Sequence, residues 1–183
     1  RIVLLCCAFL LLLTSCGEEE STDAKISEFF SGLTNMTAKA VIEAEYSDYV
    51  IEYELEFVYS PEQSRVTVLS PAEIEGIVVS FEGDRESVEY DGASFETGIP
   101  EETGTSPAAF LPELMRVWQS GIPEECGKEK LDGAECLTVA YRVDSELLYK
   151  TWFDIQSFKP VKAELFNNDV RTLACEFRLL SFE

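Results

Sequence analysis

From Ile51 to Tyr59 the chain alternates with a period of two. Ile51, Tyr53, Leu55, Phe57 and Tyr59 are apolar, and Glu52, Glu54 and Glu56 stand between them. In an extended strand successive side chains point to opposite faces, so this pattern predicts a strand with one buried and one wet face. The preceding stretch repeats it. Met36, Ala38, Ala40, Ile42, Ala44 and Tyr46 share one face, and Thr37, Lys39, Glu43 and Glu45 share the other. Two long strands joined at Ser47-Asp48 follow. The row of glutamates reads as a solvated outer face, not a cation site.

Shorter strands are predicted at 65–70, 77–81 and 87–91, with turns at Pro61–Ser64, Pro71–Gly76 and Gly83-Asp84. After Glu124 the chain reads as a meander, with strands at 125–130, 135–143, 147–155, 160–166 and 171–182. Its turns carry Asp132-Gly133, Asp144-Ser145, Gln156-Ser157 and Asn167-Asn168-Asp169. Residues 92–105 read as a long polar loop of the kind that forms lids or binding loops. Two segments change to helical spacing. Thr22-Asp23 caps a helix from Ala24 to Leu33 with the stripe Ile26, Phe29, Phe30 and Leu33. Ser106-Pro107 opens a second, with Phe110, Leu111, Leu114, Met115 and Trp118 on one face and Gly121 at its end.

An antiparallel sheet with one apolar face needs a cover, and two helices are at hand. The expected fold is mainly β with two helices (α+β): a curved antiparallel sheet forming an unclosed β-barrel covered by the helices. Large side chains, among them Tyr90, Tyr141 and Phe177, face inward.

Composition removes several function classes. The chain has no histidine, so no Ser-His-Asp triad, Cys-His dyad or His-containing zinc site can be built. Its net charge of −21 opposes nucleic-acid binding, which rests on Lys and Arg meeting phosphate. Neither a metal nor a cofactor is expected. Asp154 reads as a turn or strand-end residue, and no pair of carboxylates is placed in an apolar pocket, so no enzyme is expected.

Ile2 to Leu13 is an unbroken apolar run, IVLLCCAFLLLL. A helix crossing a bilayer core needs about 20 such residues. The run fits the apolar region of an export signal, which makes disulfides permissible. Leu13-Thr14-Ser15-Cys16 resembles the lipobox of bacterial lipoproteins, and the acidic tether GEEEST follows. The resemblance implies a signal peptide at 1–15, a diacylglyceryl group on Cys16, a tether at 16–22 and one domain at 23–183. Two acyl chains suffice for stable anchoring where one is marginal. Cys126 and Cys136 flank the Asp132-Gly133 turn and are expected to form a disulfide, with their pairing dependent on loop length. Cys175, alternating with Leu173, Phe177 and Leu179, is expected as a buried thiol.

The segment YKTWFDIQSFKPVKAE, Tyr149 to Glu164, resembles a hairpin of the LolA/LolB-like superfamily. There a strand ending in Trp-apolar-Asp runs through a short turn to Pro and into an alternating strand. The two helices, the paired long strands and the closing strand Thr172 to Phe182 are similar as well. The resemblance implies an unclosed barrel with helices as a lid over an apolar cavity. It implies lipid or lipoprotein acyl chains as cargo, or a role as an envelope sensor or assembly factor. A lipid-anchored member is closer to the receptor LolB, or to lipoproteins of Gram-positive bacteria with this fold. Some clostridial spore lipoproteins of this type assist germination through a protein partner.

Two functions are therefore expected. One is a membrane-anchored extracytoplasmic lipoprotein of the bacterial envelope. It would bind a lipid or acyl chain among Tyr53, Leu55, Phe57, Val79, Phe81, Leu114, Trp118 and Phe153. The alternative is a non-enzymatic envelope or spore lipoprotein acting through a protein partner. A hollow interior favours the first and a filled interior the second.

Overall fold

The structure, a computed structural model, describes residues 22–83, 85–97 and 105–183. The expected signal peptide, Cys16, the tether before Thr22, Asp84 and residues 98–104 of the polar segment lie outside the described residues.

Helix α1 (Thr22–Ser31) leads into six strands: β1 (Met36–Glu45), β2 (Val50–Tyr59), β3 (Ser64–Ser70), β4 (Val78–Glu82), β5 (Arg85–Tyr90) and β6 (Ala93–Glu96). Helix α2 (Pro107–Ser120) follows. Five more strands complete the chain: β7 (Pro123–Leu131), β8 (Ala134–Arg142), β9 (Leu147–Asp154), β10 (Pro160–Asn167) and β11 (Val170–Phe182). All eleven strands form one antiparallel sheet in the order β6-β5-β4-β3-β2-β1-β11-β10-β9-β8-β7. The first six step outward from the centre to one edge. Helix α2 then carries the chain to the opposite edge, and the last five step back until β11 pairs with β1. The sheet is not closed, because β6 and β7 end it without meeting. Among the described residues no helix is long and apolar enough to cross a membrane.

The alternation seen in the sequence sets the inner face. Leu55 lies opposite Ala40 and Val68, Phe57 opposite Ala38 and Val66, and all of these are buried. Both helices pack on this face. Phe30 of α1, Trp118 of α2 and Phe153 of β9 meet with ring centroids 4.7, 5.5 and 5.8 Å apart. The Trp118 Nε1–H donates to Thr151 Oγ1 at 3.0 Å, which satisfies both buried polar atoms. Helix α2 starts on Ser106, whose Oγ accepts from the Ala109 N–H. It ends on Gly121, where a Cβ would lie 2.5 Å from Val117 O and 2.8 Å from Tyr141 Cδ1. The turns Asp91-Gly92, Asp132-Gly133 and Asn168-Asp169 all have positive φ at both residues, the two-residue hairpin geometry that suits strand twist.

Three expectations need correction. Residues 93–96 form strand β6, paired to β5 with Phe95 opposite Val88, and are not part of a loop. Cys126 and Cys136 carry free thiols. The two-residue turn places Cys126 opposite Val139 and Cys136 opposite Glu129. An odd offset along β8 therefore puts the two cysteines on opposite faces of the sheet, out of disulfide reach. Leu179 is 63% exposed, because the β1–β11 register shifts at Lys39/Ala40. Beyond that bulge Leu180 and Phe182 take the inner positions and pack against the core. Cys175 is fully buried as expected.

Candidate functional site

Seven of the eight residues expected around a cavity come together in or against one packed core, and Val79 is buried apart from it. Leu55, Phe57, Leu114, Trp118 and Phe153 are at most 1% exposed, and Val79 is buried. Tyr53 and Phe81 are half-buried and lean on the same cluster. The space between helices and sheet is filled by side chains at these positions.

Open space lies to one side. A groove of about 410 Å³ runs between α2 and the turns β2–β3 and β4–β5. Of the eight residues only Phe81 lines it. Tyr59, Pro61, Ala109, Pro112 and Met115 supply the rest of its apolar wall. Helical spacing puts Pro112, Met115 and Gln119 on the flank of α2 that faces the groove. The inner faces of β5 and β6 continue outward from it. There Tyr90 is 48% and Phe95 63% exposed, on the concave side of the sheet.

The polar groups of the groove are mostly engaged. Glu113 is nearly buried and accepts from Arg116 Nε at 2.9 and 2.8 Å, and this bond pushes the guanidinium still further above its already high pKa. Gln119 Nε2 donates to Tyr59 Oη at 2.7 Å and to Phe30 O at 3.1 Å. Ser27 Oγ donates to Gln119 O at 2.6 Å. Gln119 thus ties α1, α2 and β2 at the groove's inner end. Gln63 Nε2 donates to Glu82 Oε1 at the rim. Sequence reasoning passed over these residues. The available signal was the Glu113–Arg116 pair in an otherwise apolar helix.

Two other polar features lie elsewhere. Asp154 Oδ1 accepts from Ser157 Oγ at 2.6 Å, Ser157 N at 2.8 Å and Gln156 N at 3.2 Å. These bonds hold its carboxyl below the usual carboxylate range and make it the organiser of the β9–β10 turn. On the convex face Trp152 lies beneath Lys150 and Lys162, whose Nζ atoms are 4.7 and 5.2 Å from its ring centroid. Glu129 accepts from both Lys150 Nζ and Trp152 Nε1. Among the described residues no group of acids and cysteines is arranged to hold a metal ion.

No protein-family model matches the chain, and no curated protein matches its sequence. Solved structures do match. An uncharacterized conserved protein from Thermus thermophilus aligns at TM-score 0.57 and 9% identity, over 88% of this chain and 85% of that one. A DUF1329 family protein from Desulfovibrio piger aligns at 0.51 and 9% identity, over 88% and 90%. A LolA superfamily protein from Nitrosomonas europaea aligns at 0.47 and 14% identity, over 89% and 94%. At such identities the likeness is one of fold alone. One open antiparallel sheet of eleven strands, curled around two helices with α2 joining its edges, is a LolA/LolB-like fold.

Proposed function

We propose that this chain is a membrane-anchored extracytoplasmic lipoprotein that holds an acyl-bearing amphiphile in the groove beside α2. The anchor is the lipid on Cys16, supported by the apolar run and the LTSC tetrad. The observation that carries the ligand reading is the groove itself. Its volume falls within the span of about 300–1,000 Å³ usual for small-molecule sites. On the same concave side of the sheet Tyr90 and Phe95 leave further apolar surface uncovered. Burial drives the binding, at about 0.8 kcal/mol for each CH₂ withdrawn from water. The polar rim at Gln63 and Arg116 leaves the head group at the surface. No catalytic step is assigned.

A second reading is favoured by the packed interior. A core already filled at Leu55, Trp118 and Phe153 has no room for an acyl chain without displacing α2. On that reading the chain acts through an envelope or spore protein partner.

Native mass spectrometry of residues 17–183, which hold every described element, separates the two. Co-purifying acyl lipid that is lost in Phe81→Glu and Phe95→Glu, with circular dichroism unchanged, supports the groove. A clean apo mass with no uptake of added lipids or lipopeptides selects the partner reading.

A further inference from the structure

One register row crosses the sheet near one end, from Ala44 through Leu173, Leu165, Tyr149 and Tyr141 to Pro123. Beyond it lie strand ends and connections: the β1–β2, β10–β11 and β8–β9 turns, side by side, and the link from α2 into β7. Asn168 N donates to Glu146 O at 2.8 Å and ties two of these turns together. Every one of the four connections carries an uncovered apolar side chain. Tyr46, Tyr49, Val50, Val170, Val143 and Ile122 are 38–87% exposed, and the Tyr46 and Tyr49 rings stand 5.0 Å apart. Among the described residues the turns at the opposite end carry no exposed large apolar side chain. Single exposed apolar residues are ordinary, but a row of them along one end marks a contact surface.

The start of the fold lies at the same end. Helix α1 runs into β1 at the far end, where Thr34 N donates to Glu183 O, so its first turn points back towards these tips. That turn lies near β7 and β8: after burial, the charge of Asp23 raises the pKa of both Tyr141 and Cys126. From Cys16 to Thr22 the tether is six residue steps, a reach of about 20 Å. Strand β1, ten residues long, spans about 33 Å. A lipid on Cys16 therefore holds the hairpin tips, and not the far end, at the bilayer.

We propose that these tips rest on the bilayer surface beside the anchor, with Tyr46, Tyr49, Val50, Ile122, Val143 and Val170 at the level of the head groups. Tyrosine suits that level, with its ring in the apolar layer and its hydroxyl in water. The inference rests on the anchor at Cys16. It turns the groove, walled by the β2–β3 and β4–β5 turns of the far end, away from the membrane. The turn acids Asp48, Asp144, Glu146 and Asp169 are repelled by anionic head groups, so the seat suits zwitterionic lipid.

The test reads depth in the membrane. The full chain, purified from washed bacterial membranes, is first weighed by intact-mass spectrometry for a diacylglyceryl group on Cys16. It is then placed in phosphatidylcholine vesicles, either plain or brominated on the acyl chains, where bromine quenches a nearby tryptophan. A probe is introduced by Tyr49→Trp at the tips or by Val161→Trp at the far end, and the emission of the wild-type chain, from Trp118 and Trp152, is subtracted. Brominated lipid is expected to cut the Tyr49→Trp emission about twofold and to leave Val161→Trp unchanged. Adding Ile122→Glu and Val170→Glu, both at exposed positions, restores most of the Tyr49→Trp emission. An unmodified Cys16 removes the anchor and the seat together. A modified Cys16 with Tyr49→Trp unquenched, or quenched no more than Val161→Trp, overturns the seat alone.

Discussion

Tyr149 is the residue whose environment is least satisfied. Its side chain is fully buried against Phe110, with ring centroids 5.8 Å apart, and its hydroxyl has no hydrogen-bond partner. Burial pushes its pKa well above that of free tyrosine. A buried hydroxyl without a partner costs about 1–3 kcal/mol. Tyr149→Phe removes that cost and keeps the ring stack, so it is expected to raise the denaturation midpoint, by about 1 kcal/mol in urea unfolding. A loss of stability would mean that the hydroxyl has a hidden partner. The sequence showed this tyrosine as part of the strand meander and as the start of the Tyr149–Glu164 hairpin, with no sign of its hydroxyl's surroundings. Its lack of a partner depends on how α2 lies across β9, which no local pattern encodes.

At the scale of elements, the strongly periodic segments were legible. Strands β1, β2 and β7–β11 and both helices stand where alternation, capping and turn residues put them. Strand β6 was missed because all four of its residues are exposed, so it has no buried period to read. The Asp91-Gly92 pair before it was the hairpin signal to follow. The cysteine pairing failed on the same chemistry. A two-residue Asp132-Gly133 turn fixes a register that separates Cys126 from Cys136. Turns also carry a pH response. Asp144 accepts from the N–H groups of Glu146 and Leu147, and Asp154 from those around Ser157, and both carboxyls sit below their usual pKa. A carboxylate whose pKa is depressed by folding contributes stability above its unfolded pKa and loses it as pH falls through the folded one. Asp154→Ala is therefore expected to lower the melting temperature at neutral pH. The gap from wild type should start to narrow below about pH 4 and close once the pH has fallen through the depressed folded pKa. A gap that persists in acid would assign the loss to packing.

For the whole molecule, charge is the dominant long-range quantity. A net charge of −21 on a chain of this size repels itself, and salt screens that repulsion over about 10 Å at 0.1 M. The melting temperature is expected to rise between low salt and about 0.15 M, followed by scanning fluorimetry. A fall would mean that the ion pairs around Trp152, Glu164 and Arg171 outweigh the general repulsion. The apolar inner face of the candidate site was legible, but its filling was not. Alternation says which way Leu55 and Phe153 point, and only the docking of α2 decides whether they enclose space. The seam between β1 and β11 has one further consequence. The last strand of the chain lies in the middle of the sheet, with Met36 opposite Phe182 and Glu183 bonded to Asn35. Pairings so distant along the chain form slowly. The two halves of the sheet, β1–β6 and β7–β11, cannot join until β11 is in place beside β1. The topology makes closure of the sheet at its centre wait on β11.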